Sequence, residues 1–147
     1  MGYTHYWNFK GKTDTKAFSN RMKVMSVLAQ KIVDTSNVDV SHEYNQPYTP
    51  PTISPGLIRF NGKGDEGHET FMIDAGIRDF NFCKTARKPY DEIVVACLFA
   101  MQTVFPKTQF TWSSDGDPSD HIEGYELFLK ATKYDGPKLL QLEETNV

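Results

Sequence analysis

PYDEIVVACLFAMQTVF, residues 89–105, decides the fold class. The run from Ile93 to Met101 is apolar without interruption. Pro89 sits where a first-turn proline belongs, and Asp91 and Glu92 follow where carboxylates favour a helix's positive end. Because the stretch from Tyr90 to Phe105 is apolar on nearly every side, it predicts a central helix that is buried all round. It is far shorter than the roughly 20 residues a membrane span requires, so other elements of the same chain must cover it.

Those elements are legible on either side. Tyr3 to Phe9 is rich in β-formers and reads as a strand, closed by Gly11. A helix follows from Thr13 or Asp14 to about Asp34, with Phe18, Met22, Met25, Ala29 and Ile32 recurring at spacings of three and four on one face. Residues 45–56, NQPYTPPTISPG, carry four prolines and a glycine and predict a crossing loop without regular structure. Leu57 to Phe60 and Thr70 to Ile73 flank the polar NGKGDEGH, which predicts a β-hairpin with a long tip, and a further strand is expected over Ile77 to Phe82. After the central helix, Gln109 to Ser113 reads as a strand. Asp117-Pro118 then opens a last helix, whose expected inward face is Ile122, Tyr125, Phe128 and Leu129. The order, roughly β-α-β-β-β-α-β-α, predicts a single α+β domain over residues 1–147, with a mainly antiparallel sheet and about three helices packed on it.

Composition narrows the function classes. The 147 residues are 39% hydrophobic and 24% charged, enough for one ordinary core, and ten Phe, seven Tyr and two Trp make it rich in aromatics. A formal charge of −3 provides no global positive field, so a long nucleic acid is not an expected partner. Cys83 and Cys97 are expected to be free thiols, which fits a reducing compartment. The first residues, MGYTHYWNFKGK, lack the pattern of a cleaved leader, and Tyr6 stands where a myristoylation signal requires Ser or Thr. The expectation is therefore a cytoplasmic protein without membrane association.

The strongest chemical signal is Phe82-Cys83-Lys84-Thr85-Ala86-Arg87-Lys88-Pro89-Tyr90, three cations and a hydroxyl directly before the buried helix. Helix starts expose unpaired N–H groups and a partial positive charge, a natural seat for phosphate or carboxylate. Lys84, Thr85, Arg87 and Lys88 are accordingly candidate ligand-binding residues. A structural salt-bridge network with Asp74, Asp79, Asp91 or Glu92 explains the same residues. The glycines of a phosphate-binding P-loop are missing. Arg59 and Asn61 share one strand face opposite Phe60 and are candidates for a polar wall, with His68 on the hairpin tip. His5 and Trp7 share a face of the first strand, where an imidazole and an indole would line one pocket. Asp65, Glu66, His68 and Glu69 match neither calcium nor zinc spacing, so no metal or cofactor is expected. Cys83 beside Lys84 and Arg87 is a candidate low-pKa thiol, and His121 is expected at the surface.

GYTHYW (2–7), IRFNG (58–62), HETF (68–71), FNFCKTARKPYD (80–91) and SSDG (113–116) together resemble a family of small uncharacterised proteins associated with bacteriophages, prophages and some microbial genomes. The similarity runs from Gly2 to about Phe128 and brings no known activity with it. It implies a compact phage-type accessory protein in the host cytoplasm. Such proteins often counter host defence, some by sequestering signalling nucleotides, and Lys84, Arg87, Arg59 and aromatic rings suit a nucleotide-like ligand. The expected function is thus binding of a small anionic, nucleotide-like molecule, with a homo-oligomer as one form. The alternatives are an enzyme on a phosphorylated small molecule, with His5 or His68 as base, and an inhibitor of a host protein acting through the loop around Tyr44 and Tyr48.

Overall fold

The computed structural model describes residues 3–74, 76 and 81–133. The chain runs β1 (Thr4–Phe9), α1 (Lys16–Thr35), β2 (Val40–Ser41), β3 (Thr52–Ser54), β4 (Leu57–Gly62), β5 (Phe71–Asp74), β6 (Asn81–Lys84), α2 (Asp91–Val104), β7 (Phe110–Ser114) and α3 (Ile122–Thr132). Single 3-10 turns occur at Gly64–Glu66 and Pro118–His121. The described residues form a single α+β domain of three helices and two small antiparallel sheets.

Helix α2 is the hub. Ile93 to Leu98 are all buried, as are Ala100, Met101 and Val104, and the helix packs against α1, α3 and β7. Covering so apolar a cylinder takes several neighbours, which explains why the three helices contact one another, but the helix is not buried all round: Phe99 is half-buried and Gln102 is exposed. Tyr90 forms the N-cap, so Pro89 stands just outside the helix rather than in its first turn. The periodicity of α1 is matched in full: Phe18, Met22, Met25, Ala29 and Ile32 are buried, and the Thr15 hydroxyl caps the helix by accepting from the Phe18 N–H at 3.1 Å.

The strands divide into two sheets. In the first, β1 lies between β6 and β7, with His5 opposite both Cys83 and Ser114. In the second, β4 pairs with β2, β3 and β5. Of the expected strand over Ile77 to Phe82, Asn81 and Phe82 belong to β6; residues 77–80, including Asp79, lie outside the described residues. The proline-rich loop does contain regular structure, against the sequence expectation. Thr52, Ile53 and Ser54 lie between Pro51 and Pro55 and retain their N–H groups, and three residues are enough for an edge strand on β4.

The face of α3 also departs from expectation. Gly124, Leu127, Phe128 and Ala131 turn inward, whereas Ile122, Tyr125 and Leu129 are exposed. The cause is the approach of α3 to α2 at Gly124, where a Cβ would lie 2.4 Å from Val95 Cγ1. That crossing fixes the helix's rotation and leaves its other apolar stripe outside. Among the described residues no helix is long and apolar enough to cross a membrane.

Gly124→Ala tests this crossing. Alanine improves helix propensity by about 1 kcal/mol, yet overpacking against Val95 costs about 1–3 kcal/mol and more for larger residues. The substitution should lower the urea midpoint, and Gly124→Val should lower it further.

Candidate functional site

At one end of the first sheet, β1 and β6 deliver their residues to the start of α2. The Asp91 carboxylate, in the helix's first turn, meets His5 Nε2 at 2.6 Å and the Thr85 hydroxyl at 2.5 Å, both on Oδ1. A carboxylate only accepts, so Nε2 and the Thr85 hydroxyl donate. His5 is completely buried, and its Nδ1 has no hydrogen-bond partner among the described residues. The Tyr3 ring stands edge-on to His5 at 5.1 Å, and the His121 ring is 5.9 Å away, its Nε2 without a hydrogen-bond partner among the described residues. Burial, then the neighbouring His5, pushes the His121 imidazole below its usual range. His121 is therefore half-buried in a ring cluster with Trp112 rather than on the open surface.

The segment between β6 and α2 is bent sharply. Ala86 and Arg87 both have positive φ, 51° and 58°, and the Lys88 N–H returns to the Thr85 carbonyl at 3.0 Å. Two left-handed residues inside a closed four-residue turn are the pattern of a type I′ turn, which normally takes Gly, Asn or Asp. Left-handed backbone costs non-glycine residues about 1–2 kcal/mol each. The turn is held by the Tyr3 carbonyl, which accepts from both Thr85 and Ala86, and by the Arg87 guanidinium, 4.0 Å over the Tyr3 ring and 2.8 Å from Asp120. The Arg87 hydrogen bond, with one from the Asp117 N–H, holds the Asp120 carboxyl below the usual range. Burial, then Asp91, raises the Tyr3 phenol.

Beside this turn opens a polar cavity of about 290 Å³, where Tyr3, Arg87 and Lys88 face Asp91, Glu92, Asp120 and Glu123. Burial and the adjacent Glu123 raise the Glu92 carboxyl. The basic edge and the acidic wall lie on opposite elements: the β6–α2 turn supplies the cations, and α2 with the α3 corner supplies most of the carboxylates.

Thr85, Arg87, Lys88 and His5 thus converge on one region. Lys84 does not line the cavity; its N–H donates to Glu69 at 2.6 Å. Arg59 forms an ion pair with Glu43, whose other oxygen accepts from Thr70. The buried Asn61 side chain closes the hairpin tip: it donates to the His68 carbonyl and Thr70, and accepts from the Gly62 and His68 N–H groups. His68 itself is exposed on that tip. Trp7 packs into the core against Phe71 at 5.1 Å instead of offering a stacking face. Burial pushes the Cys83 thiol well above its usual range, and Cys97 up to about 12, which removes the reactive thiolate considered from sequence. Among the described residues no group of three or more His, Cys, Asp or Glu is placed to hold a metal. Sequence reasoning missed Tyr3, Asp120 and Glu123, and it took Asp91 for a dipole partner or a partner of the basic segment. His5 and Asp91 lie 86 positions apart, and no local pattern links them.

Comparison of the chain with protein-family models, curated proteins and solved structures finds no match.

Two measurements check the site's physics. Ala86→Gly relieves one left-handed residue and should raise stability by about 1 kcal/mol in urea unfolding. His121 contributes through its depressed pKa: an unfolded histidine takes up its proton near 6.5, before the folded one does. Stability is therefore full above pH 6.5 and declines as pH falls towards the folded pKa. His121→Asn should flatten that decline, while the Asp120 contribution is lost only below its ordinary value of 3.8.

Proposed function

We propose that this protein binds a small, anionic, nucleotide-like ligand at the cavity beside the Ala86–Arg87 turn and releases it unchanged. The observation that carries the reading is the strained turn itself: two consecutive left-handed non-glycine residues present Arg87 and Lys88 at the cavity's lip. Backbone strain of this kind concentrates where a side chain must be held for a partner. A guanidinium already oriented over Tyr3 loses little freedom on meeting a phosphate and offers bidentate hydrogen bonds to it.

The acidic wall restricts what fits. Glu92 and Glu123 accept hydrogen bonds from ligand amino, ring N–H or hydroxyl groups, and they repel a polyanion. A compact ligand with phosphate at one end and donors at the other, as in a mononucleotide or cyclic nucleotide, satisfies both edges. Long nucleic acid does not. Retention rather than turnover is favoured because His5, the only imidazole bonded to a cavity-lining carboxylate among the described residues, is sealed from solvent. With the resemblance to phage-associated proteins, this makes sequestration of a host signalling nucleotide the setting in which such binding would serve.

Titration calorimetry against a panel of linear and cyclic nucleotides should find a ligand. Arg87→Ala should weaken it at least about tenfold, the order expected for loss of a charge-assisted bond, while Arg59→Ala should leave it unchanged. Mass spectrometry should recover the ligand intact. Equal binding by wild type, Arg87→Ala and Lys88→Ala would remove the site.

A further inference from the structure

A second feature lies away from that cavity, along the outer edge of β7. In the β1–β7 ladder the Asp115 N–H bonds the Thr4 carbonyl and the Lys10 N–H bonds the Gln109 carbonyl. Antiparallel pairing alternates, so Thr111 and Ser113 also turn their main-chain groups to β1, and Phe110, Trp112 and Ser114 turn theirs away. The Phe110 N–H is used by Pro106, but the N–H and carbonyl groups of Trp112 and Ser114 have no partner among the described residues. The strand, FTWSS, carries neither charge nor proline, the usual guards of an edge.

Next to this edge runs an apolar groove of about 630 Å³. Phe99 and Trp112 lie on one side of it and Ile122, Tyr125 and Leu129 on the other. The last three are 52%, 45% and 36% exposed, and their spacing of three and four places them on one stripe of α3. Open backbone groups and an unpartnered apolar stripe therefore face the same side.

We infer that this side is a two-fold interface, in which β7 pairs antiparallel with β7 of a second copy about Trp112. Such pairing is self-complementary. Trp112 exchanges both main-chain hydrogen bonds with the partner's Trp112, and the Phe110 carbonyl meets the N–H of the partner's Ser114. Charge complementarity favours a second copy over an unrelated strand. Lys107 precedes β7, and the main chains of Lys10 and Lys12 are bonded to Gln109 at that same end. Asp115 and Asp117 follow β7 at the other end. Antiparallel pairing about Trp112 brings the Lys107 end of one strand beside the Asp115–Asp117 end of the other, at both ends of the joint. The two three-stranded sheets become one of six strands, and the α3 stripes cover each other's grooves.

Sedimentation velocity on the full chain over a concentration series should show a reversible dimer. Ile122→Arg, at an exposed position, should shift it to monomer while leaving the circular dichroism spectrum unchanged, and should leave the unfolding midpoint unchanged at concentrations where the wild type is itself monomeric. Register is tested separately. Thr111 and the partner's Ser113 face each other as a non-hydrogen-bonded pair, with Cα atoms about 4.5 Å apart, within disulfide reach. Both positions are exposed and the native cysteines are buried. Thr111→Cys/Ser113→Cys should therefore give a covalent dimer on mild oxidation, and Thr111→Cys alone should give little. A chain that stays monomeric throughout the series overturns the inference. So does a dimer that survives Ile122→Arg, or one whose double-cysteine variant does not cross-link.

Discussion

One carboxylate holds three elements in register. Asp91, in the first turn of the central helix, takes a proton donor from β1 through His5 and another from the end of β6 through Thr85. The group is largely shielded from water, and so are its partners. Removing one partner from such a pair leaves a polar group or charge uncompensated, which costs about 3–5 kcal/mol when fully buried. The start of α2 is therefore fixed against the edge of the first sheet rather than merely packed near it. The helix's apolar body then determines where α1 and α3 can lie.

The same knot explains how a strained turn persists. With Thr85 tied to Asp91 and Tyr90 donating to the Glu69 carbonyl at 2.5 Å, the intervening residues must bridge a short span. Ala86 and Arg87 do so in a conformation that glycine would adopt more cheaply. Arginine at the second position is compensated by the Tyr3 ring and Asp120, both beside the cavity. Among the described residues the ion-pair partner of the basic segment is Asp120 rather than Asp74, Asp91 or Glu92, and Arg87, paired with it, is also presented at the cavity lip. Any ligand must compete with Asp120 for part of the guanidinium, and that competition favours a phosphate over a weaker acceptor.

The packing of α3 shows how a close contact overrides a plausible amphipathic pattern. Two apolar stripes are present on this helix, one through Leu127 and Phe128 and one through Ile122, Tyr125 and Leu129. Periodicity alone does not choose between them. Gly124 does, because only that side lets the helix approach Val95. The stripe left outside then lies beside the open edge of β7, so a local steric choice determines which surface of the molecule remains apolar.

The sequence by itself determined the α+β class, the burial of residues 93–101 apart from Phe99, the inward face of α1 and the hairpin joining β4 to β5. Each depends on near neighbours in the chain, through periodicity, capping groups and turn formers. It also marked Thr85, Arg87 and Lys88, because a cluster of cations before a helix start is locally costly and therefore conspicuous. Only the tertiary structure decided that His5 joins them, that Arg59, Asn61 and His68 serve the hairpin, and that Trp7 belongs to the core. It alone brought Asp120 and Glu123 across from the α3 corner. These outcomes depend on side chains far apart in the chain meeting one another: His5 with Asp91, Arg87 with Asp120, Arg59 with Glu43 and Trp7 with Phe71. Residue spacing carries no record of such a meeting until the sheet and helices have closed upon each other.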